Sequence, residues 1–379
     1  MDKINIGVIG CGDVLAQYMD RAAIHPEFRV VALADLNKEL ANAQAEKYSV
    51  PKVLDTDSLI ADPDVQLVVN FTPPRVHAAV TLQAIEAGKD VFTEKPFATT
   101  LADADKIVQA ATAANVSVSC APASFLGGGM QTTRKMIDDG WIGRPVAAFG
   151  CFAWRGYEHW HPRIDPFYAP GGGPVMDIAP YMVTNMVNLL GPVRRVSASA
   201  QKFSDTRPRP GTFPGDGDIK VAVPTHISAS LDFESGAVGT LILSWDVWSS
   251  HLPYFEIYGT GGSISTNNPD FYGGNPKLRR GEAKDLSFEP YPPGGGEWLE
   301  VPSTHRGDAG RAIGWAEMAD ALRTGRKART DMSFAYHCLE VMLAVEESSV
   351  QGRHIDIVST CHRPAPLPVV GPDQPFRFD

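Results

Sequence analysis

Nowhere in the 379 residues does an apolar run approach the ~20 residues that a helix needs to cross a bilayer, so no membrane span is expected. The first apolar stretch, Ile4 to Ile9, is too short for the core of a secretion signal and leads directly into a glycine turn. Cysteine is sparse. Cys11, Cys120, Cys151, Cys338 and Cys361 are scattered singly, which excludes a disulfide framework and zinc-site spacing and points to reduced thiols in a cytoplasmic protein. Basic residues are outnumbered, 34 Lys and Arg against 44 Asp and Glu, and the net charge of -10 argues against a nucleic-acid partner. No two histidines fall at the helical His-x-x-x-His spacing, so no metal is expected. No internal repeat is found. What is present is a globular composition, 44% hydrophobic and 21% charged, in a chain long enough for two cores.

The first third alternates strand and helix signals. Strands are predicted at Ile4 to Ile9, Phe28 to Ala34, Val65 to Phe71, Val91 to Thr93 and Val116 to Cys120. Helices are predicted over 13–25, from Thr72-Pro73-Pro74 to Gly88, and after a cap at Thr100. Apolar strands joined by helices imply a parallel sheet covered on both faces, in an α/β domain spanning 1–122. Beyond it the texture changes. Ile227, Ala229, Leu231 and Phe233 alternate with polar residues, Glu234-Ser235-Gly236 turns the chain, and Val238, Thr240 and Ile242 alternate again, which reads as an antiparallel hairpin. Further strands are predicted at Val146–Phe152, Val193–Ala200 and Phe255–Tyr258, and helices over 130–139, 176–190, 311–324 and 333–349. Residues 123–379 are therefore expected to form an α+β domain with a large, mostly antiparallel open sheet and helices on one face. Segments 202–224 and 266–296 read as loops, and the Pro-rich tail after Arg363 as an extended arm over the surface.

Gly10-Cys11-Gly12 lies between the first strand and a helix that opens with Asp13 and Val14. Gly10 permits the tight turn, and Gly12 lets the backbone approach a pyrophosphate at the helix N-terminus. A third glycine is missing, since positions 15 and 16 are Leu and Ala. Asp35 falls 23 residues after Gly12 at the end of the second strand, where a carboxylate can accept both ribose hydroxyls. The same charge repels a 2′-phosphate, and no Arg follows in Asp35-Leu36-Asn37. A Rossmann domain that takes NAD in preference to NADP is the expectation.

Thr72-Pro73-Pro74 with His77, Ala87-Gly88-Lys89 and Glu94-Lys95-Pro96 extend the series, and with Gly10-Cys11-Gly12 they resemble the Gfo/Idh/MocA family of sugar and cyclitol oxidoreductases. The resemblance continues through Gly171-Gly172-Gly173, Asp177, Gly259-Thr260-Gly261-Gly262 and the helix from Glu340 to Ser348, and so covers nearly the whole chain. It implies that Gly10, Cys11, Gly12, Asp13, Val14, Asp35 and Leu36 hold the cofactor's phosphates and ribose. It implies that Phe71, Thr72, Pro73, His77, Glu94 and Lys95 approach its nicotinamide end, with Lys95 between nicotinamide and substrate and Pro96 in a cis bond. An ammonium there can bind a substrate hydroxyl and favour its ionised form. A homodimer or homotetramer, built on one face of the second sheet, is implied by the same resemblance alone.

The family commonly carries Asp, then His four residues on, then Asp three further, where this chain has Asp177, Tyr181 and Thr184 on one predicted helical face. The histidine base is missing, and Tyr181 replaces it as in some branches. A phenol, with a pKa of about 10, is a poor base unless cations lower that value, a task expected of Lys95 and the oxidised nicotinamide ring. The segment from Trp154 to Pro162 is the expected sugar-recognition element, with Arg155, Trp160 and His161 as substrate contacts beside Lys95, Asp177 and Tyr181. The leading expectation is an NAD-dependent dehydrogenase acting on a secondary hydroxyl of a sugar, glycoside or cyclitol, with Lys95, Tyr181 and Asp177 catalytic. A redox-assisted glycoside hydrolase working through a transient 3-keto intermediate, and a non-enzymatic NAD sensor, are the alternatives.

Overall fold

The computed structural model describes residues 3–281 and 297–378. Its first layer is a six-stranded, wholly parallel sheet in the order Lys52–Leu54, Phe28–Ala34, Ile4–Ile9, Leu67–Asn70, Asp90–Thr93 and Val118–Cys120. Strand Leu67–Asn70 is buried at every position, as a central parallel strand covered on both faces must be. The connecting helices start where side chains cap them: Asn37 accepts from Leu40 N before Lys38–Tyr48, and Thr100 accepts from Asp103 N before Leu101–Ala114. This is the expected Rossmann sheet. The helices Lys38–Tyr48 and Thr56–Ala61 and the short strand Lys52–Leu54 add to the expected elements.

The second sheet has nine strands among the described residues, in the order Leu299–Glu300, Lys277–Arg280, Gly262–Thr266, Phe255–Gly259, Pro145–Ala153, Val238–Ser244, His226–Phe233, Val193–Gln201 and Ile355–Asp356. All neighbours are antiparallel except Pro145–Ala153 with Val238–Ser244. Within the expected loops, Thr206–Arg207 pairs with Ile219–Lys220, and Lys277–Arg280 joins the large sheet; 282–296 lie outside the described residues.

Helices Ala179–Leu190 and Met332–Gln351 cover one face. A Cβ at Gly150 would lie 2.9 Å from Met186 Cε, so the bare strand lets Ala179–Leu190 sit close. Asp177 and Tyr181, beside the start of that helix, meet Lys95 of the first layer. The single helix expected over 176–190 is in fact two, Gly173–Asp177 and Ala179–Leu190. Pro180, which has no N–H to donate, sits in the first turn of the second helix.

One further helix ties the layers together. Helix Ile313–Thr324 packs on the first sheet through Trp315, whose fully buried ring stacks on Tyr18 at 4.8 Å and lies 5.7 Å from Phe71. The tail is extended as expected: Leu367 and Phe378 are buried, and Arg329 donates to Ala365 O, Pro366 O and Phe378 O. All five cysteines are free and buried. No helix among the described residues is long and apolar enough to cross a membrane.

Candidate active site

At the dinucleotide end, Gly10 has φ +104°, and a Cβ there would lie 2.6 Å from Phe71 O; glycine is required on both counts. Gly12 caps helix Asp13–Ala22, and a Cβ on it would meet nothing within 4 Å, so the outer side of the turn is open. Asp35 ties the end of the second strand to this turn: its Oδ2 accepts from Cys11 N at 2.7 Å and its Oδ1 from Asn37 N at 2.8 Å. Leu36 is exposed, and Val14 is half-buried. The Cys11 thiol points inward at Ala34 O, and burial followed by the Asp35 charge pushes it up to about 12, so only its backbone faces the turn. Asp13 is exposed and paired at 2.6 Å with Arg163, the residue after the Trp154 to Pro162 segment. An open glycine turn at a helix start, with a carboxylate on the neighbouring strand end, fits a dinucleotide.

Asn70 organises the next strand end, accepting from Thr72 N and Oγ1 and donating to His77 O. His77 lies deeper than expected. It is fully buried, with Nδ1 2.9 Å from Pro96 O and Nε2 2.7 Å from Thr72 O, so it links the Thr72-Pro73 turn to the Pro96 turn. Burial lowers its pKa. Glu94 is also committed within the protein: Tyr18 Oη donates to Oε1 at 2.7 Å and Lys95 N to Oε2 at 2.9 Å. Lys95–Pro96 is cis, as expected.

At the reacting end, the structure brings Lys95, Asp177 and Tyr181 together. Lys95 Nζ donates to Asp177 Oδ1 at 2.6 Å and Asp177 O at 2.8 Å, and lies 5.4 Å from the Tyr181 ring centroid. Burial works against the ammonium, but Asp177, then Tyr181 and Glu94, hold its pKa above the ordinary lysine value. Thr184 does not join them, since its hydroxyl donates back to Pro180 O at 2.7 Å inside its own helix. Burial pushes the Tyr181 hydroxyl up to about 12, against the pull of Lys95 and Arg311. This corrects the expectation for Tyr181 in one respect: desolvation outweighs Lys95, and the protein's own charges do not bring the phenol below its ordinary value.

Three residues of this group were not singled out from the sequence. Tyr157 Oη donates to Asp177 Oδ2. Arg311 Nη1 donates to Tyr181 Oη at 2.9 Å, and Asp270 accepts from Arg311 Nη2 at 2.9 Å. Tyr157 belongs to the Trp154 to Pro162 segment and carried that aromatic signal. Asp270 stands in an expected loop, and Arg311 lies at the start of the helix expected over 311–324, which begins at Ile313; neither carries a local signal that marks a site.

The aromatic segment surrounds Tyr157. Its ring stacks on Phe167 at 3.9 Å and is flanked by Trp154 at 5.0 Å, Trp160 at 5.5 Å and His161 at 5.9 Å. Trp160 is 56% exposed, and a half-open indole is what a sugar face can stack on. Arg155 points elsewhere, with its guanidinium 3.3 Å over the exposed Trp248 ring. The segment is anchored from below by Arg207, which donates to Glu158 Oε1 at 2.6 Å and to Asp246, while Tyr168 donates to Glu158 Oε2 at 2.5 Å. A cavity of about 740 Å³ adjoins the Asp270 loop, lined by Phe271, Tyr272 and Tyr254.

The parallel sheet, the open glycine turn and the group of Lys95, Asp177 and the buried Tyr181 define a dinucleotide-dependent oxidoreductase. Residues 4–121 match the model of the oxidoreductase family with an NAD-binding Rossmann fold, and 130–265 match the GFO/IDH/MocA C-terminal domain. The chain belongs to the Gfo/Idh/MocA family and is an NAD-dependent oxidoreductase. It is 25% identical to the D-xylose dehydrogenase of Paenarthrobacter nicotinovorans, over 86% of each chain. It is 28% identical to the levoglucosan dehydrogenase of Pseudarthrobacter phenanthrenivorans, over 70% of this chain and 74% of the relative. Among solved structures, an NAD binding oxidoreductase from Klebsiella pneumoniae superimposes with a TM-score of 0.79 at 25% identity, over 94% of this chain and 99% of that one. Levoglucosan dehydrogenase in its apo form gives a TM-score of 0.80 at 23% identity, over 95% and 100%.

Proposed function

We propose that this protein oxidises a secondary hydroxyl of a sugar, glycoside or cyclitol, with Tyr181 as proton acceptor and Lys95 as the cation that holds the reacting oxygen. The observation that carries the reading is the convergence of Lys95 Nζ, the Asp177 carboxylate and the Tyr181 ring, with Tyr157, flanked by the half-open Trp160, donating to that carboxylate. The dehydrogenase relatives named above support a carbohydrate substrate.

NAD, when bound, supplies the acceptor for the hydride leaving the carbinol carbon. Gly10, Gly12 and Asp35 would hold its phosphates and ribose, with Cys11, Asp13, Val14 and Leu36 beside them and Thr72, Pro73 and Phe71 toward the nicotinamide. His77 and Glu94 act one step back, His77 fixing the two strand-end turns and Glu94 fixing Lys95 N. At the substrate, the Lys95 ammonium donates to the hydroxyl oxygen and stabilises the charge that grows there, and that hydroxyl's proton passes to Tyr181 Oη. Asp177 touches both Lys95 and Tyr157, so it aims the ammonium and the floor of the sugar pocket together. Trp160 and His161 present a stacking face and a donor.

The reading is tested by offering sugars, glycosides and cyclitols with NAD and following nicotinamide absorbance in both directions. Turnover with at least one member, lost in Lys95→Met, is the expected result. No turnover with any member would overturn it, and cleavage of a glycosidic bond without net NADH would replace it by the hydrolytic alternative.

Asp35 makes a second prediction. Its carboxylate is expected to accept the ribose hydroxyls and repel a 2′-phosphate, so calorimetric titration of the unmodified protein should show NAD bound more tightly than NADP. In Asp35→Ala, NAD affinity should fall and the preference should narrow. Equal affinities for the two dinucleotides in the unmodified protein would remove Asp35 from the discrimination.

A further inference from the structure

A guanidinium carries five N–H donors and no acceptor, so the direction of the 2.9 Å contact between Arg311 Nη1 and Tyr181 Oη is fixed: Arg311 donates and the phenol oxygen accepts. The hydrogen of Tyr181 must therefore point away from Arg311. Arg311 is itself held from two sides. Gln17 Oε1, on helix Asp13–Ala22 of the first sheet, accepts from its Nε at 2.8 Å, and Asp270 Oδ1, on the loop after strand Gly262–Thr266, accepts from Nη2 at 2.9 Å. Two anchors on different layers hold the guanidinium against the phenol oxygen. Lys95, the other cation beside this ring, has its ammonium committed to Asp177, so Arg311 is the cation hydrogen-bonded to the phenol oxygen.

We propose that Arg311 is the positioning residue that makes Tyr181 usable as a base: it fills one lone pair of the phenol oxygen, stabilises the phenolate left when the hydroxyl proton is lost to solvent, and so leaves the lone pair on the side away from Arg311 free to accept the substrate's proton. The inference rests on the reading of Tyr181 as proton acceptor. It answers the chemical gap left by the absent histidine, because a charge-assisted bond is roughly twice as strong as a neutral one. The charges facing Tyr181 are Lys95 and Arg311, which favour its ionised form, and Asp270 and Glu94, which oppose it; the phenols of Tyr157 and Tyr272 lie in the same group. Against buried surroundings that disfavour the phenolate, loss of Arg311 removes one of two favourable charges and the one that touches oxygen.

The two charges bonded through Arg311 make opposite predictions. In Arg311→Met, Tyr181 should ionise at higher pH, and turnover at neutral pH should fall by about tenfold or more with recovery as pH rises. In Asp270→Asn, the amide oxygen can still accept from Arg311 while the opposing charge is gone, so Tyr181 should ionise at lower pH. Ionisation is read without substrate by placing difluorotyrosine, a more acidic phenol, at position 181 and following its fluorine NMR shift against pH in each background. Turnover is read in parallel on the unlabelled variants. An unchanged titration in Arg311→Met that still folds and binds NAD overturns the proposal, as does an upward shift in Asp270→Asn. If Arg311→Met fails to fold, Asp270→Asn and Arg311→Lys decide alone, the lysine variant being expected to retain part of the effect. Intact turnover in Tyr181→Phe, with both titration shifts present, would fault Tyr181 as the base while leaving its coupling to Arg311 standing.

Discussion

Lys95→Met should turn over about 10²–10⁴-fold more slowly than the unmodified protein and bind NAD with nearly unchanged affinity. The two parts of that expectation come from different places in the structure. The elements that would hold phosphate and ribose, Gly10, Gly12 and Asp35, lie on the first two strand ends, whereas Lys95 follows the fifth strand and reaches away from them to Asp177. Methionine keeps the apolar stem and removes only the ammonium. The variant leaves Asp177 with Tyr157 as its remaining hydrogen-bond donor of the pair, at a cost to stability of about 1–3 kcal/mol. Thermal melting would register that cost, and a folded, NAD-binding, inactive protein is the expected combination. Asp177→Asn should give a milder loss, because the amide still accepts from Lys95 but no longer holds the ammonium by charge. Near-normal turnover in Lys95→Met would take Lys95 out of the chemistry.

How much of this was legible in the sequence depended on the range of each interaction. Strands Ile4–Ile9 and Phe28–Ala34 lie where their apolar runs predict, since a fully buried parallel strand must be apolar throughout. Thr100 announces its helix through a local cap. Helix Lys38–Tyr48 is harder to see because its buried face consists of Ala41 and Ala45, which contrast little with their neighbours. The break at Ile178 follows from Pro180, whose effect on the hydrogen-bond ladder outweighs an otherwise continuous apolar periodicity. Lys95, Asp177 and Tyr181 were found through motif order, and their meeting depends on helix Ala179–Leu190 lying close over Gly150. His77 shows the limit of such carry-over: its motif position is on the cofactor side, but its ring faces Pro96 O and Thr72 O in the interior. Arg311 was invisible because it meets Tyr181 across 130 residues, and its position is fixed by Trp315 packing on Tyr18 and Phe71 of the first layer. No local composition encodes a contact of that kind.

Tyr181→Phe is the variant on which the mechanism turns, because it deletes one oxygen and keeps the ring between Lys95 and Arg311. If that oxygen receives the substrate proton, oxidation should slow by about 10²–10⁴-fold, and the loss should persist at every pH. In the unmodified protein, oxidation should speed up with rising pH, since only the ionised phenol can accept a proton. The sign follows from the group's chemistry: raising pH fills the phenolate form, and any cation near it moves that rise to lower pH. The protein alone places the phenol at about 12, because burial outweighs Lys95 and Arg311. The oxidised nicotinamide ring carries a further positive charge, so the apparent pKa in the cofactor complex should fall below that value. Removing the oxygen also strips Arg311 Nη1 of its acceptor, but its bonds to Asp270 and Gln17 remain. The stability loss should therefore stay within about 1–3 kcal/mol. A slow, pH-independent, still folded Tyr181→Phe supports the phenol as base. Full turnover with lowered stability would make Tyr181 a buried structural tyrosine and pass proton transfer to another group, with His161 of the aromatic segment the first to test.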